Sequence, residues 1–81
     1  LLLERGRRIV VKSPGRSWEA VYWGEDEGGD IVACRMGQHW QFVHFNVLQF
    51  AESLVVQDLL PLSEIQAIEN DVVKALGVRP D

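Results

Sequence analysis

Four short segments rich in β-branched and aromatic residues follow one another through the first 45 residues, separated by short polar connections. They cover residues 8–12, 18–23, 31–36 and 39–45. Connections this short join antiparallel strands, because parallel strands need a crossover of a dozen or more residues. Pro14 and Gly15 suit the two central positions of a type II turn between the first two segments. The sequence therefore predicts a four-stranded antiparallel β-meander.

The C-terminal part of the chain has the spacing of an amphipathic helix. Apolar side chains recur about once per helical turn, at Ile65, Ile68, Val72, Ala75 and Leu76. Ser63 and Gln66 have the spacing of a capping box, and Gly77 suits the left-handed residue that follows a helix end. These signals predict a helix over residues 63–76.

Residues 46–60 are compatible with two structures. Asn46 could cap a helix whose apolar stripe continues to Leu59, or residues 54–56 could form a short fifth strand. Length and the interspersed polar residues favour the helix. We therefore expect one domain over residues 1–81, of the α+β class. It would be a four-stranded antiparallel meander, open or barrel-like, with one or two C-terminal helices packed on one face.

Composition restricts the class of protein. Apolar content of 47% with 25% charged residues is ordinary for a globular chain and argues against disorder. The single cysteine, Cys34, cannot form an internal disulfide. No run of about 18 apolar residues is present, so we expect no membrane span and a cytoplasmic protein.

Charge is distributed unevenly along the chain. Residues 1–16 carry five basic residues against Glu4, a balance of +4, whereas residues 17–81 carry three basic and eleven acidic residues, a balance of −8. The basic residues are Arg5, Arg7, Arg8, Lys12 and Arg16. Beside Trp18 and Tyr22, they suggest a nucleic-acid-binding surface on a small β-barrel as an alternative function. The overall charge of −4 argues against that alternative.

The central strands are apolar on both faces, which is unusual for a meander with helices on one side. In the fourth segment, Trp40 and Phe42 alternate with Val43 and Phe45. Two short helices would cover one face, so we expect the other face to be covered by another subunit, most simply as a homodimer. The sequence therefore predicts a non-enzymatic protein-interaction or assembly module. Its anchors would be Tyr22, Trp40 and Phe42, and its partner a second copy or another protein.

A further alternative is a small-ligand site. Trp18, Tyr22, Trp40 and Phe42 could share one face and form an aromatic pocket for an organic cation.

Motifs for catalysis, metal binding and cofactor binding are absent from the sequence. His39 and His44 are five residues apart, which places them on opposite faces of a strand, and there is no CxxC, HExxH or glycine-rich phosphate motif. The acidic segment 25–30 has the composition of a solvated hairpin tip and not the spacing of a calcium loop. We therefore predict no catalytic residue, no metal site and no cofactor.

Overall fold

The computed structural model describes residues 3–76, which form an open five-stranded antiparallel sheet and one α-helix. In chain order the elements are β1 (Arg7–Ser13), β2 (Arg16–Asp26), β3 (Gly29–Met36), β4 (His39–His44), a 3₁₀-helix (Leu48–Ser53), β5 (Leu54–Leu59) and α1 (Leu62–Leu76). The strand order is β4-β3-β2-β1-β5, so β4 and β5 are the two edges. The predicted α+β class is confirmed, whereas four strands and a barrel-like closure are wrong.

The hairpins follow from their turn residues. Ser13 pairs with Arg16 across the first turn, and Gly15 between them has φ +74°, as the third residue of a type II turn requires. Met36 pairs with His39 across another two-residue turn. The meander over β1 to β4 is therefore as the sequence predicts.

The prediction of a second helix within residues 46–60 is wrong. Asn46 does act as a cap, because its Oδ1 accepts the Gln49 amide at 3.1 Å, but the capped element is a short 3₁₀-helix. The chain then extends as β5 and pairs antiparallel with β1, with Val10 opposite Val55. Adjacent β-branched residues favour the extended state, and β5 supplies partners for a row of β1 backbone groups that a helix would leave unpaired.

A bulge interrupts the pairing of β5 with β1. The register changes between the pairs Ile9↔Val56 and Arg7↔Leu59. Gln57 and Asp58 on β5 therefore both lie opposite Arg8, the single β1 residue in this interval. The Arg7 guanidinium donates to the Gln57 carbonyl oxygen at 3.1 Å, and Arg8 Nη1 donates to Asp58 Oδ1 at 3.0 Å. Two arginine side chains thus hold the bulged segment of β5 on β1.

Each face of the sheet has its own hydrophobic core. On one face, α1 packs on the central strands in a cluster of Val21, Trp23, Ala33, Ile68 and Val72. The other face carries a cluster of Ile9, Ala20, Tyr22, Val32 and Val47. Val47 comes from the segment between β4 and the 3₁₀-helix, so the chain covers both faces itself. The expectation of one apolar face without cover is therefore wrong.

Helix α1 occupies the predicted range but begins differently. The Pro61 carbonyl oxygen accepts the amides of Glu64 at 3.0 Å and Ile65 at 3.2 Å, which closes the first turn. The helix starts at Leu62, so Ser63 lies inside the first turn and is not the N-cap that the predicted capping box requires, and the Gln66 side chain donates to Asn70 Oδ1 at 3.3 Å. The predicted helix-ending Gly77 lies outside the described residues.

Gly6 lets α1 approach the start of β1. It has φ +92°, and a Cβ at this position would overlap Ile65 Cδ1 and lie 2.9 Å from Ile65 Cγ1. Its carbonyl oxygen accepts the Leu60 amide at 2.8 Å. Only a glycine satisfies both the backbone angle and this close approach.

Candidate interaction surface

The three predicted anchor residues do not lie on one surface. Tyr22 pairs with Val32, whereas Phe42 pairs with Ala33, so Tyr22 and Phe42 point to opposite faces of the sheet. Trp40, two residues from Phe42 on β4, shares the face of Phe42. Tyr22 is buried at 9% exposure. It therefore cannot anchor a partner together with the two β4 residues.

A bulge in β2 causes this separation. Beyond the bulge Gly24 pairs with Ile31, and a regular continuation of that register would bring Tyr22 opposite Ala33 and onto the face of Phe42. The register instead changes between Tyr22 and Gly24. A shift of one residue moves a side chain to the other face of a sheet.

Trp40 and Phe42 pack chiefly against their own chain. The Trp40 ring lies 6.0 Å from the Arg35 guanidinium, and the Phe42 ring centroid lies 5.1 Å from that of Trp23. Phe42 remains 37% exposed. On this face Phe42 is thus the predicted anchor that still presents apolar surface to solvent.

Tyr22 belongs to a polar network centred on Asp30. Its hydroxyl donates to Asp30 Oδ1 at 3.0 Å, and the Val47 amide donates to Asp30 Oδ2 at 3.2 Å. Burial, together with the hydrogen bond and charge of Asp30, raises the pKa of Tyr22 to about 12. Asp30 therefore joins β2, β3 and the segment that covers the second core. Sequence reasoning missed this role because Asp30 stands in an acidic stretch that resembles a solvated loop.

The predicted aromatic pocket for an organic cation does not form. Trp18 packs edge-to-face on Phe45, with ring centroids 5.0 Å apart, on the same face as Tyr22. Trp40 and Phe42 lie on the other face, so the four rings cannot enclose one ligand.

Two arginines of the basic N-terminal segment already have partners in the chain. Arg7 forms an ion pair with Glu4 at 2.9 Å. Arg5 donates to the Trp23 carbonyl oxygen at 3.1 Å, and its guanidinium lies 5.7 Å from the Trp23 ring centroid.

The remaining basic residues lie along the first hairpin. Arg8 contacts Asp58 at 3.0 Å and Glu19 at 3.8 Å, whereas Lys12 and Arg16 flank the β1–β2 turn. The positive and negative parts of the sequence are therefore partly neutralised within the molecule. Nucleic-acid binding by this segment remains a prediction.

The Asp71 carboxylate joins α1 to β4. Its Oδ2 accepts the Trp40 amide at 2.7 Å, and its Oδ1 lies 3.2 Å from His39 Nδ1. These hydrogen bonds, led by that from the Trp40 amide, hold the pKa of Asp71 below its usual value.

Asp26 performs a similar role at the β2–β3 turn. Its Oδ1 lies 2.8 Å from His44 Nε2 and accepts the Gly28 amide at 2.7 Å, and these contacts lower the pKa of Asp26. His39 and His44 thus contact different carboxylates. Within residues 3–76, no group of three or more His, Cys, Asp or Glu side chains could hold a metal ion.

A groove of about 520 Å³ runs between α1 and the sheet. Apolar residues Val21 and Ile68 are among its lining residues, together with charged side chains that include Arg8 and Asp71. Both charged groups are bound to their own chain, Arg8 through Asp58 and Asp71 through Trp40. Glu19, Arg35 and Glu64 also line the groove, so it is a mixed surface and not a purely apolar one.

The clearest apolar surface lies on β5 and the start of α1. We call it the β5 strip and define it as Val55, Val56, Leu59 and Leu62, which are 40%, 45%, 42% and 79% exposed. Three of the four belong to an edge strand that, among residues 3–76, pairs only with β1. At the opposite edge, Asp71 already binds the Trp40 amide of β4. The β5 strip thus combines exposed side chains with an open strand edge.

No protein-family model matches the chain, and comparisons with curated proteins and with solved structures find no match. In the part of the chain that the structure describes, no helix has the length and apolar character needed to cross a membrane.

Proposed function

We propose that this protein is a non-enzymatic assembly module that forms a homodimer through the β5 strip. The observation that carries the proposal is an edge strand with exposed aliphatic side chains on both faces, Val55 on the face of α1 and Val56 on the other, followed by the exposed Leu62 at the helix start. Isolated exposed apolar residues are common on monomers, but an edge strand without charged or bulky protection is a template for pairing with another strand.

The exposed area of the β5 strip can be compared with that of a symmetric interface. From their fractional exposures, its four residues present roughly 350 Å² of mainly apolar surface in total, divided between the two faces of the sheet. A standard interface buries about 800 Å² on each partner, of which somewhat more than half is apolar. The β5 strip would therefore supply part of the apolar contact such a dimer needs.

Charge favours a second copy as the partner. Strand β5 carries one charged residue, Asp58, and Arg8 neutralises it within the chain. A two-fold interface places the same surface against itself, so a surface of like charges would repel, whereas an apolar surface does not. No lysine or proline on β5 protects this edge from another strand.

This proposal keeps the predicted homodimer and changes the surface. The predicted anchors Tyr22, Trp40 and Phe42 are committed to the two cores or lie on different faces, so they do not carry it. Localisation in the cytoplasm remains a prediction from composition alone.

Sedimentation equilibrium of the wild type and of two lysine variants tests the proposal. Val56→Lys removes roughly 70 Å² of buried apolar area from each copy, which weakens the dimer by roughly 3 kcal/mol, or about 100-fold in dissociation constant. Met36→Lys is the matched control, because Met36 is 50% exposed and lies on β3, away from β5. We expect the wild type and Met36→Lys to form dimers and Val56→Lys to remain monomeric.

Two results would refute the proposal. A wild type that stays monomeric well above micromolar concentration would exclude the homodimer. Equal association of Val56→Lys and the wild type would exclude the β5 strip as the contact surface. Circular dichroism of each variant confirms that the fold is retained.

A further inference from the structure

We infer that the homodimer forms by antiparallel pairing of β5 with β5 of a second copy about a two-fold axis at Val55. The two five-stranded sheets would then join into one continuous sheet. This inference rests on the proposed self-association and specifies its geometry.

Backbone hydrogen bonding selects this axis. In a two-residue hairpin the closing pair, here Ser13 and Arg16, exchanges both hydrogen bonds, and bonded and non-bonded pairs then alternate along β1. By this alternation Val10 directs its amide and carbonyl toward β5, where Val55 is its partner. The backbone amide and carbonyl of Val55 are then hydrogen-bonded to β1. Those of its neighbours Leu54 and Val56 point away from β1, toward the open edge of the sheet.

A two-fold axis at Val55 satisfies those outward groups. It places Leu54 of each copy opposite Val56 of the other, and each such pair can exchange an amide-to-carbonyl bond in both directions. The two copies of Val55 then meet as a non-bonded pair, the kind whose side chains approach most closely. All the directly paired side chains are aliphatic.

The bulge limits the extent of this pairing. Gln57 and Asp58 leave the regular strand path, so the regular edge of β5 consists of residues 54–56. Pairing at the β4 edge is less favourable, because it would displace the Asp71 carboxylate from the Trp40 amide. A short regular edge with aliphatic side chains on both faces thus fits one partner strand.

Disulfide cross-linking tests the position of the axis. In a Cys34→Ala background, which removes the single native thiol, Val55→Cys places two thiols at a non-bonded antiparallel pair. The Cα separation at such a pair is about 4.5 Å, within the range that a disulfide spans. Gln41→Cys in the same background is the control, since Gln41 is exposed on the opposite edge strand. We expect near-complete covalent dimer for Val55→Cys and only background cross-linking for Gln41→Cys.

Amide hydrogen exchange of the wild type provides a test without substitution. The Leu54 and Val56 amides should exchange about fivefold more slowly than in the dilute monomer when total protein is about ten times the dimer dissociation constant. At that concentration most copies are paired. The Val55 amide, already bonded to β1, should change far less.

The results separate the two proposals. Dimerisation together with Val55 cross-linking and concentration-dependent protection of Leu54 and Val56 supports both. A dimer that lacks the cross-link and shows no added protection at Leu54 and Val56 overturns strand pairing and leaves the homodimer standing. A wild type that remains monomeric overturns both.

Discussion

Replacing Asp30 tests whether one carboxylate fixes the cover of the second core. Asp30→Ala removes the acceptor of the Tyr22 hydroxyl and of the Val47 amide. Hydrogen bonds to charged groups contribute about 1.5 kcal/mol or more each, and both donors lose their partner in a partly buried region. We therefore expect the free energy of unfolding to fall by roughly 3 kcal/mol, a large share of the roughly 4–12 kcal/mol usual for a chain of this length.

Urea unfolding followed by tryptophan fluorescence measures this loss. With an m-value of about 1 kcal/mol/M, the midpoint should fall by roughly 3 M. Tyr22→Phe alone should cost about 1 kcal/mol, and much less when Asp30 is already alanine, because the two changes remove the same bond. A loss below about 0.5 kcal/mol for Asp30→Ala, or strictly additive effects, would refute this account of the network.

Titration of the only tyrosine gives an independent measurement. In the folded protein the pKa of Tyr22 is about 12, so its phenolate absorbance should rise about two pH units above that of a free tyrosine. A raised pKa favours the neutral hydroxyl, so the stability it contributes is present below about pH 10 and is lost as the pH rises toward 12. Asp30→Ala should lower the pKa of Tyr22 toward 10, and an unchanged titration would show that Asp30 has no part in the shift.

Two further predictions concern other contacts. Gly6→Ala should destabilise the fold by about 1 kcal/mol more than Gly15→Ala in urea unfolding, since both residues have positive φ but only Gly6 would overlap Ile65; equal losses would exclude the overlap. The pKa of Asp71 lies below its usual value in the folded state, so its contribution is present above about pH 4 and is lost as the pH falls further. Asp71→Asn should therefore reduce the fall in urea midpoint between about pH 5 and about pH 3, and a pH dependence equal to that of the wild type would contradict the role of Asp71.

The parts of the fold that depend on short-range signals could be predicted from the sequence. Pro14 and Gly15 specify a turn within four residues, and the recurrence of Ile65, Ile68 and Val72 specifies a helix face. Strand β5 could not be assigned in this way, because Leu54 to Val56 fit a helical stripe as well as a strand. What decides between them is the open edge of β1, which lies more than forty residues away in the chain.

The placement of the predicted anchors was harder to predict because it depends on the register between strands. Alternation within β2 and β4 was visible in the sequence, but the relative phase of Tyr22 and Phe42 depends on one extra residue in β2. Near Tyr22, Gly24 is the residue whose type is typical of a bulge, but a glycine is equally typical of a turn. The carboxylates Asp30 and Asp71 likewise acquire their roles only when distant segments meet.

The arginine contacts between β1 and β5 also bear on how the chain can be divided. Both the Arg7–Gln57 and the Arg8–Asp58 bond span 50 positions, whereas the pairings from β1 to β4 join neighbours in the chain. Most of the loop-closure entropy therefore falls on the addition of β5. A fragment that ends before β5 would retain its three hairpins, but β1 would become an edge strand. Ile9 and Val11 would then lack the β5 residues that lie opposite them. Completion of the sheet thus depends on the first and the last strand being present in the same chain.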